Sequence, residues 1–154
     1  ILVNMPSQGV WGPPIWNFLH TLAEKIREDR YPELGSQLVN FIQRVATHLP
    51  CPDCSQHASR FFKNAPPGAF NTKQKLKESL FVMHNVVNRR KNKEVTKMNI
   101  LEQYKYRNVG RAYNRFIGVY NTKGNMKLLT DTFQRQMIVR DLKHWLLRNR
   151  LAVI

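Results

Sequence analysis

The chain has 154 residues, of which 42% are hydrophobic, and neither Gly nor Pro is enriched; this favours one folded domain with its own core. No apolar run reaches the length needed to cross a bilayer, so we expect no membrane span. The formal net charge of +15 favours acidic partners in general, such as nucleic acid, anionic surfaces or phosphates, without selecting one of them.

The start of the chain gives two expectations about processing. It lacks a basic segment followed by a long apolar stretch, and we therefore expect no signal peptide. Residues 1–4 precede a natural-looking start at Met5 and resemble an expression scar, so residues 1–8 are assigned to an N-terminal lead.

The apolar spacing predicts an all-α fold, because no strand signal of any length occurs. The predicted helices, in chain order, cover residues 13–29, 33–48, 51–63, 72–91, 96–106 and 131–150. Pro13 and Pro14 suit the first turn of the first helix, and Thr96 suits the cap of the short fifth helix. Residues 121–125 have the composition of a turn.

Inward-facing apolar side chains at helical spacing support three of these helices. They are Ile15, Leu19, Leu22 and Ile26 in the first, Leu38, Phe41, Ile42, Val45 and Leu49 in the second, and Leu76, Leu80, Met83 and Val87 in the fourth.

The last third of the chain is strongly basic. Residues 107–154 contain ten Lys or Arg against two Asp, so they carry +8 of the net charge. The helix predicted over 131–150 is amphipathic, with Ile138, Leu142, Trp145 and Leu146 on one side and Arg135, Arg140, Lys143 and Arg148 elsewhere. It could pack on the helices before it, extend a dimer interface, or bind nucleic acid or another acidic partner.

The two cysteines are separated by two residues, as Cys51-Pro52-Asp53-Cys54. This spacing allows a short disulfide, and a helix that begins at Pro52 would stabilise a thiolate at its N-terminus, which suits redox cycling. Zinc binding is an alternative, with His57 as a third ligand and a distant His84 as the fourth. A thioredoxin-like site and an inert thiol pair are further alternatives, although the flanks are helical rather than βαβ.

Two helix faces could form the wall of an aromatic ligand site. Trp11, Gly12, Trp16 and His20 combine two flat rings, a bare backbone and a hydrogen-bonding ring, with Trp16 and His20 one helical turn apart. Cys54, His57 and Phe61 share a second face, with the imidazole one turn from a sulfur. Each of these side chains alone is more commonly a packing residue.

The fourth helix carries polar residues that are costly to bury without partners. His84, Val87, Asn88 and Lys91 share one face, and the basic run up to Lys93 follows them. A polar ligand would satisfy the His and Asn side chains, and the basic run suits a phosphate or pyrophosphate, although such runs are usually solvated.

Taken together, these motifs resemble the Erv1/ALR family of FAD-linked sulfhydryl oxidases, in particular the minimal enzymes of large cytoplasmic DNA viruses such as iridoviruses. The resemblance covers about residues 9–106. Four separated signals occur in the family's order: Trp11-Gly12-Pro13-Pro14-Ile15-Trp16 with His20, Pro50-Cys51-Pro52-Asp53-Cys54 with His57, His84-Asn85-x-Val87-Asn88, and Lys93.

The resemblance implies an all-α four-helix bundle with a short fifth helix, to which residues 107–154 add a basic helical extension. It further implies a homodimer that binds FAD and forms disulfides in a protein dithiol substrate or a small thiol-carrier protein. Two electrons would pass through the cysteine pair and FAD to O2, giving H2O2. The host cytoplasm or the virion would be its location, within a viral disulfide-forming pathway.

The resemblance also assigns roles to single residues. Cys51 would be the outer cysteine attacked by substrate thiolate, and Cys54 the inner cysteine beside the flavin. The other residues implied at the cofactor are Gly12, Trp16, His20, His57, Phe61, His84, Asn85, Val87, Asn88, Arg90 and Lys93. The chain departs from many relatives in having no additional cysteine pair, so substrate would have to reach Cys51 directly or through a separate carrier.

Overall fold

The computed structural model of the protein describes residues 8–121 and 129–154. Six α-helices occur there: α1 Gln8–Lys25, α2 Tyr31–Thr47, α3 Pro52–Lys63, α4 Lys73–Arg90, α5 Val109–Tyr120 and α6 Leu129–Arg148. Two 3₁₀ segments, Glu28–Arg30 and Met98–Tyr106, join α1 to α2 and follow α4. Extended pairing within the described ranges is limited to one isolated bridge between Ile26 and Val153. The predicted all-α fold is confirmed.

The first helix begins earlier than predicted and ends sooner. Pro13 and Pro14 lie inside α1 rather than in its first turn. Each lacks the backbone N–H that would donate to a carbonyl of the preceding turn. The helix continues through them where Trp11 and Ile15 are both buried in the core, so tertiary packing outweighs the local cost of the prolines.

The predicted fifth helix is a 3₁₀ segment, and Thr96 does not cap it. The residue before that segment is Lys97, whose side chain makes no capping hydrogen bond. Thr96 instead donates its backbone N–H to Asn85 Oδ1 at 3.0 Å, while its carbonyl accepts from Asn85 Nδ2 at 3.0 Å. The buried amide of Asn85 therefore uses the backbone of Thr96 to satisfy its polar atoms.

The predicted apolar faces of the first, second and fourth helices form the centre of the core, which confirms the helical periodicity. Nearly all of their members are less than a tenth exposed. Leu49 and Val87 are exceptions, because both are only half-buried, and the structure places them on cavity walls.

Helix α5 was not predicted, and it packs directly along α1. Asn108 caps it by accepting a hydrogen bond from the Arg111 N–H at 2.9 Å. Phe116 is fully buried and stacks on Phe18 of α1, with ring centroids 4.5 Å apart. The Tyr120 hydroxyl donates to the Val45 carbonyl at 3.2 Å, which connects the end of α5 to α2.

Helix α6 also packs on the bundle, against α2. Trp145 is buried and donates its indole N–H to Gln37 Oε1 at 2.8 Å. The assignment of Arg135 to the polar side was wrong: it is 1% exposed, and its guanidinium donates to Thr132 Oγ1 at 3.3 Å. The long aliphatic stem of an arginine allows such burial when its polar head finds hydrogen-bond acceptors.

Two of the sequence predictions lie outside the described residues: the N-terminal lead, apart from Gln8, and the turn at 121–125, apart from Asn121. For the described part of the chain, no helix combines the length and the apolar character that a membrane crossing requires.

Candidate cofactor and disulfide site

The cysteine pair lies at the N-terminus of α3. Cys51 is its N-cap residue and Pro52 its first residue, as predicted. Cys51 and Cys54 form a disulfide with their Cα atoms 5.3 Å apart, and the Cys54 N–H donates to Cys51 Sγ at 3.3 Å. Ser55 Oγ accepts from the Leu49 N–H at 2.8 Å, which fixes the chain just before the pair. Both cysteines are half-buried.

A largely apolar cavity of about 610 Å³ opens beside this disulfide. Helices α1, α3 and α4 all contribute to its wall, and Cys54 lines it whereas Cys51 does not. Seven of the predicted site residues line this cavity: Gly12, Trp16, Cys54, His57, Phe61, Val87 and Arg90.

A second cavity of about 400 Å³ adjoins the first. The two share Gly12, Trp16, Val87 and Lys91 on their walls, so these residues form the boundary between them. The second cavity also contains the predicted residues His84, Asn88 and Lys93.

His20 lies behind the second cavity rather than on either wall. It is 4% exposed, and its Nε2 lies 3.0 Å from Nδ1 of His84, so that one ring donates a hydrogen bond to the other. His84 in turn stacks on Trp16 with ring centroids 4.1 Å apart and planes within 4°. His20 therefore orients His84, which faces the cavity.

Both imidazoles are held in the neutral form. Burial, assisted by the nearby His84, lowers the pKa of His20 to about 3. Burial, together with the positive charges of Lys91 and Lys93, lowers the pKa of His84 to about 4. At neutral pH the pair can therefore form its hydrogen bond without a buried positive charge.

This pair should make the fold sensitive to mild acid. Between pH 6.5 and 3 the unfolded chain binds a proton at His20 that the folded chain does not, so the free energy of unfolding falls as the pH is lowered. The loss from this residue is about 1.4 kcal/mol per pH unit in that range. We expect His20→Gln to reduce the difference in unfolding free energy between pH 7 and pH 5, measured with urea.

The matched control is His144→Gln, because His144 is exposed on α6. That variant should keep the wild-type pH dependence. If His20→Gln also kept the wild-type pH dependence of the unfolding free energy, the neutral buried imidazole of His20 would not be the cause of that dependence.

Asn85 serves the loop after α4 and lines neither cavity. Its amide makes the hydrogen bonds to Thr96 described above, and its Oδ1 also accepts from Asn88 Nδ2 at 3.4 Å. Asn92 has a φ of 56°, a left-handed conformation that asparagine tolerates well. The turn that contains Asn92 is closed by the Lys93 N–H, which donates to the Asn88 carbonyl at 2.8 Å, and it brings Lys93 to the second cavity.

Sequence reasoning did not single out five polar residues of the second cavity: Asn17, Gln103, Tyr104, Arg107 and Arg115. Tyr104 lies in the second 3₁₀ segment, Arg107 directly follows that segment, and Arg115 lies in α5. The signal for α5 was present in the sequence, because Asn108 is a favourable cap and Ala112, Phe116 and Tyr120 recur at helical spacing.

In the described ranges, no group of three or more His, Cys, Asp or Glu side chains could hold a metal ion. The two candidate thiolate ligands, Cys51 and Cys54, are joined to each other in a disulfide.

A helical bundle that holds a Cys-x-x-Cys disulfide beside a large cavity has the arrangement expected of a dithiol–disulfide redox protein. Comparison with protein families gives the same class in more detail, since the model of the Erv1/Alr family matches residues 13–107. The chain belongs to the Erv1/Alr family.

Curated relatives come from two groups of viruses. A protein of Invertebrate iridescent virus 3, whose name assigns it provisionally to the FAD-linked sulfhydryl oxidases, is 31% identical over 62% of this chain and 66% of its own. FAD-linked sulfhydryl oxidases from two isolates of African swine fever virus are 27% and 28% identical over 73% of this chain and 97% of their own. No solved structure gives a significant match.

Proposed function

We propose that the protein is an FAD-dependent sulfhydryl oxidase that forms disulfides in protein thiols. The observation that carries this proposal is the position of Cys54 on the wall of the large apolar cavity while its disulfide partner Cys51 lies off that wall. This arrangement supports a role for Cys54 beside a cofactor and for Cys51 towards a substrate. The family membership and the names of the viral relatives support the same function.

The two adjoining cavities fit the two chemically different parts of FAD. The first is mostly apolar and carries the Trp16 and Phe61 rings, which suits a flat tricyclic ring. The second carries Lys91 and Lys93, which suit a diphosphate. When bound there, FAD would supply a two-electron acceptor that O2 can reoxidise to give H2O2.

The cysteine pair carries out thiol–disulfide exchange with the substrate. A substrate thiolate attacks Cys51 Sγ, the Cys51–Cys54 bond breaks, and Cys54 leaves as a thiolate facing the cavity. The second substrate thiol then displaces Cys51, so that the substrate becomes a disulfide and the enzyme a dithiol. Two electrons and two protons have been transferred to the pair. A bound FAD would accept them from the dithiol as the Cys51–Cys54 bond re-forms, with Cys54 as the cysteine on its cavity wall.

The N-terminus of α3 assists this exchange. In the oxidised state the Cys54 N–H already donates to Cys51 Sγ, and after reduction the same group would stabilise a Cys51 thiolate. Cys51 is half-buried rather than buried, so a substrate thiolate could reach it directly, and the sequence contains no further cysteine to relay electrons.

The remaining residues position and enclose the cofactor. His57 and Phe61 follow Cys54 along the same face of α3 and line the first cavity, where they would border the flavin ring. Gly12 and Val87 line the passage between the cavities, Asn88 lines the second, and Arg90 lines the first. His20 and Asn85 act from behind the walls, by orienting His84 and the loop that carries Lys93.

The proposed partners follow from the function. They are a protein dithiol or a small thiol-carrier protein as substrate, O2 as acceptor and a second copy of the chain as a homodimer. As part of the same proposal, the protein acts in a viral disulfide-forming pathway in the host cytoplasm or the virion. An acidic partner on α6 is a separate possibility for the exposed Arg140 and Lys143.

The test is a visible absorption spectrum of the purified protein, followed by oxygen uptake after dithiothreitol is added. We expect flavin bands and thiol-dependent oxygen consumption with H2O2 as product. A protein that stays colourless and inactive after FAD is supplied would overturn the proposal.

A further inference from the structure

Helix α5 brings Arg115 to the second cavity from beyond the part of the chain that the family model matches, which ends at residue 107. The helix is fixed in this place by buried contacts. Ala112 and Phe116, which flank Arg115 on the helix, are 3% and 0% exposed, and the Phe116 ring stacks on Phe18 of α1. Arg115 itself is exposed, with its guanidinium free to reach a ligand in the cavity it lines.

The second cavity is markedly cationic. Lys91, Lys93, Arg107 and Arg115 line it, and its lining includes no Asp or Glu among the described residues. Burial is the main cause that lowers the pKa of both Lys91 and His84, and the positive charge of Lys93 lowers both pKa values further. Four cations around 400 Å³ without an acidic counter-charge favour an anionic ligand.

We propose that Arg115 binds a phosphate of FAD, so that helix α5 of the C-terminal extension is part of the cofactor site. This rests on the proposed function. A guanidinium presents several N–H groups in a plane and pairs well with phosphate oxygens. The cationic second cavity shares a wall with the apolar first cavity, which we propose for the flavin ring. This arrangement suits a diphosphate linked to a ring system better than an extended polyanion.

The proposal also gives a use to the extension. Residues 9–106 would form the catalytic unit common to the family, and residues 107–154 would add both core packing and one phosphate ligand. Arg115 would distinguish flavins by their phosphates and would take no part in the transfer of electrons.

The experiment measures the affinity of the full chain for FAD and for riboflavin by equilibrium dialysis, in wild type, Arg115→Gln and Arg111→Gln. Arg111 is the matched control, because it lies one turn earlier on α5, is also exposed and lines neither cavity. We expect Arg115→Gln to weaken FAD binding about tenfold, as for loss of one charged hydrogen bond, and to leave riboflavin binding unchanged. Arg111→Gln should bind both flavins as wild type does.

Salt dependence gives a second readout. The affinity of wild type for FAD should fall as salt is raised, and Arg115→Gln should show a shallower fall because one cation no longer contributes. Equal FAD affinity in Arg115→Gln and Arg111→Gln would overturn the inference. An equal loss of FAD and riboflavin binding in Arg115→Gln would also overturn it, because that result would indicate a structural role. If wild type bound neither flavin, the proposed function itself would fail.

Discussion

Replacing Cys54 by Ser should abolish thiol-driven oxygen uptake while leaving flavin bound. Cys54 lines the cavity proposed for the ring, and serine cannot supply the thiolate that passes electrons onward. Loss of a group that makes and breaks covalent bonds lowers turnover by on the order of 10³-fold or more. Oxygen consumption with dithiothreitol, alongside the visible spectrum of the same sample, measures both parts of this expectation.

Two further variants show whether the effect belongs to the pair. Cys51→Ser should lose turnover to a similar degree, because the disulfide can no longer form. Ser59→Ala is the control on the same helix, since Ser59 is exposed and its hydroxyl bonds only to the Ser55 carbonyl. Substantial oxygen uptake by Cys54→Ser, at a rate near that of Ser59→Ala, would exclude the assigned role.

Phe116→Ala should destabilise the protein by about 3–5 kcal/mol, the usual cost of deleting a buried aromatic ring. Phe116 is fully buried between α5 and α1 and stacks on both Phe18 and Tyr120. The residue lies outside the segment that defines the family, so a loss of this size would show that the C-terminal extension is part of the core. Denaturant unfolding of the full chain gives the free energy directly.

Phe133→Ala provides the matched comparison, because it deletes the same side chain from α6 at a position that is 63% exposed. We expect its effect to stay within about 0.5 kcal/mol. Equal stability of the two variants would mean that α5 does not pack on the bundle as described.

Much of the fold could be predicted because local signals and tertiary packing agree. The apolar stripe from Ile15 to Ile26 was predictable because residues at helical spacing share one buried face. The start of α3 at Pro52 was predictable because the first helical position needs no N–H. Predictions from local preference were wrong where tertiary packing outweighs it. Pro13 and Pro14 were expected in the first turn of α1, but they lie inside the helix.

The candidate site divides in the same way. Faces such as Cys54 with His57 and Phe61 follow from spacing along one helix, and the structure places all three on one wall. The link between His20 and His84 joins residues 64 apart, and no spacing rule predicts it. Arg115 was missed with its whole helix, although Asn108 is a good cap and Ala112, Phe116 and Tyr120 recur every fourth residue.

The central claim is that Cys51 and Cys54 pass electrons from thiols to bound FAD. Its most direct test is an anaerobic titration of the holoprotein with dithiothreitol, followed by admission of air, with the flavin spectrum recorded throughout. We predict that wild type loses its visible flavin bands on addition of thiol and regains them in air, whereas Cys54→Ser keeps them throughout. A wild-type protein that binds flavin but keeps its visible bands under excess thiol would contradict the account.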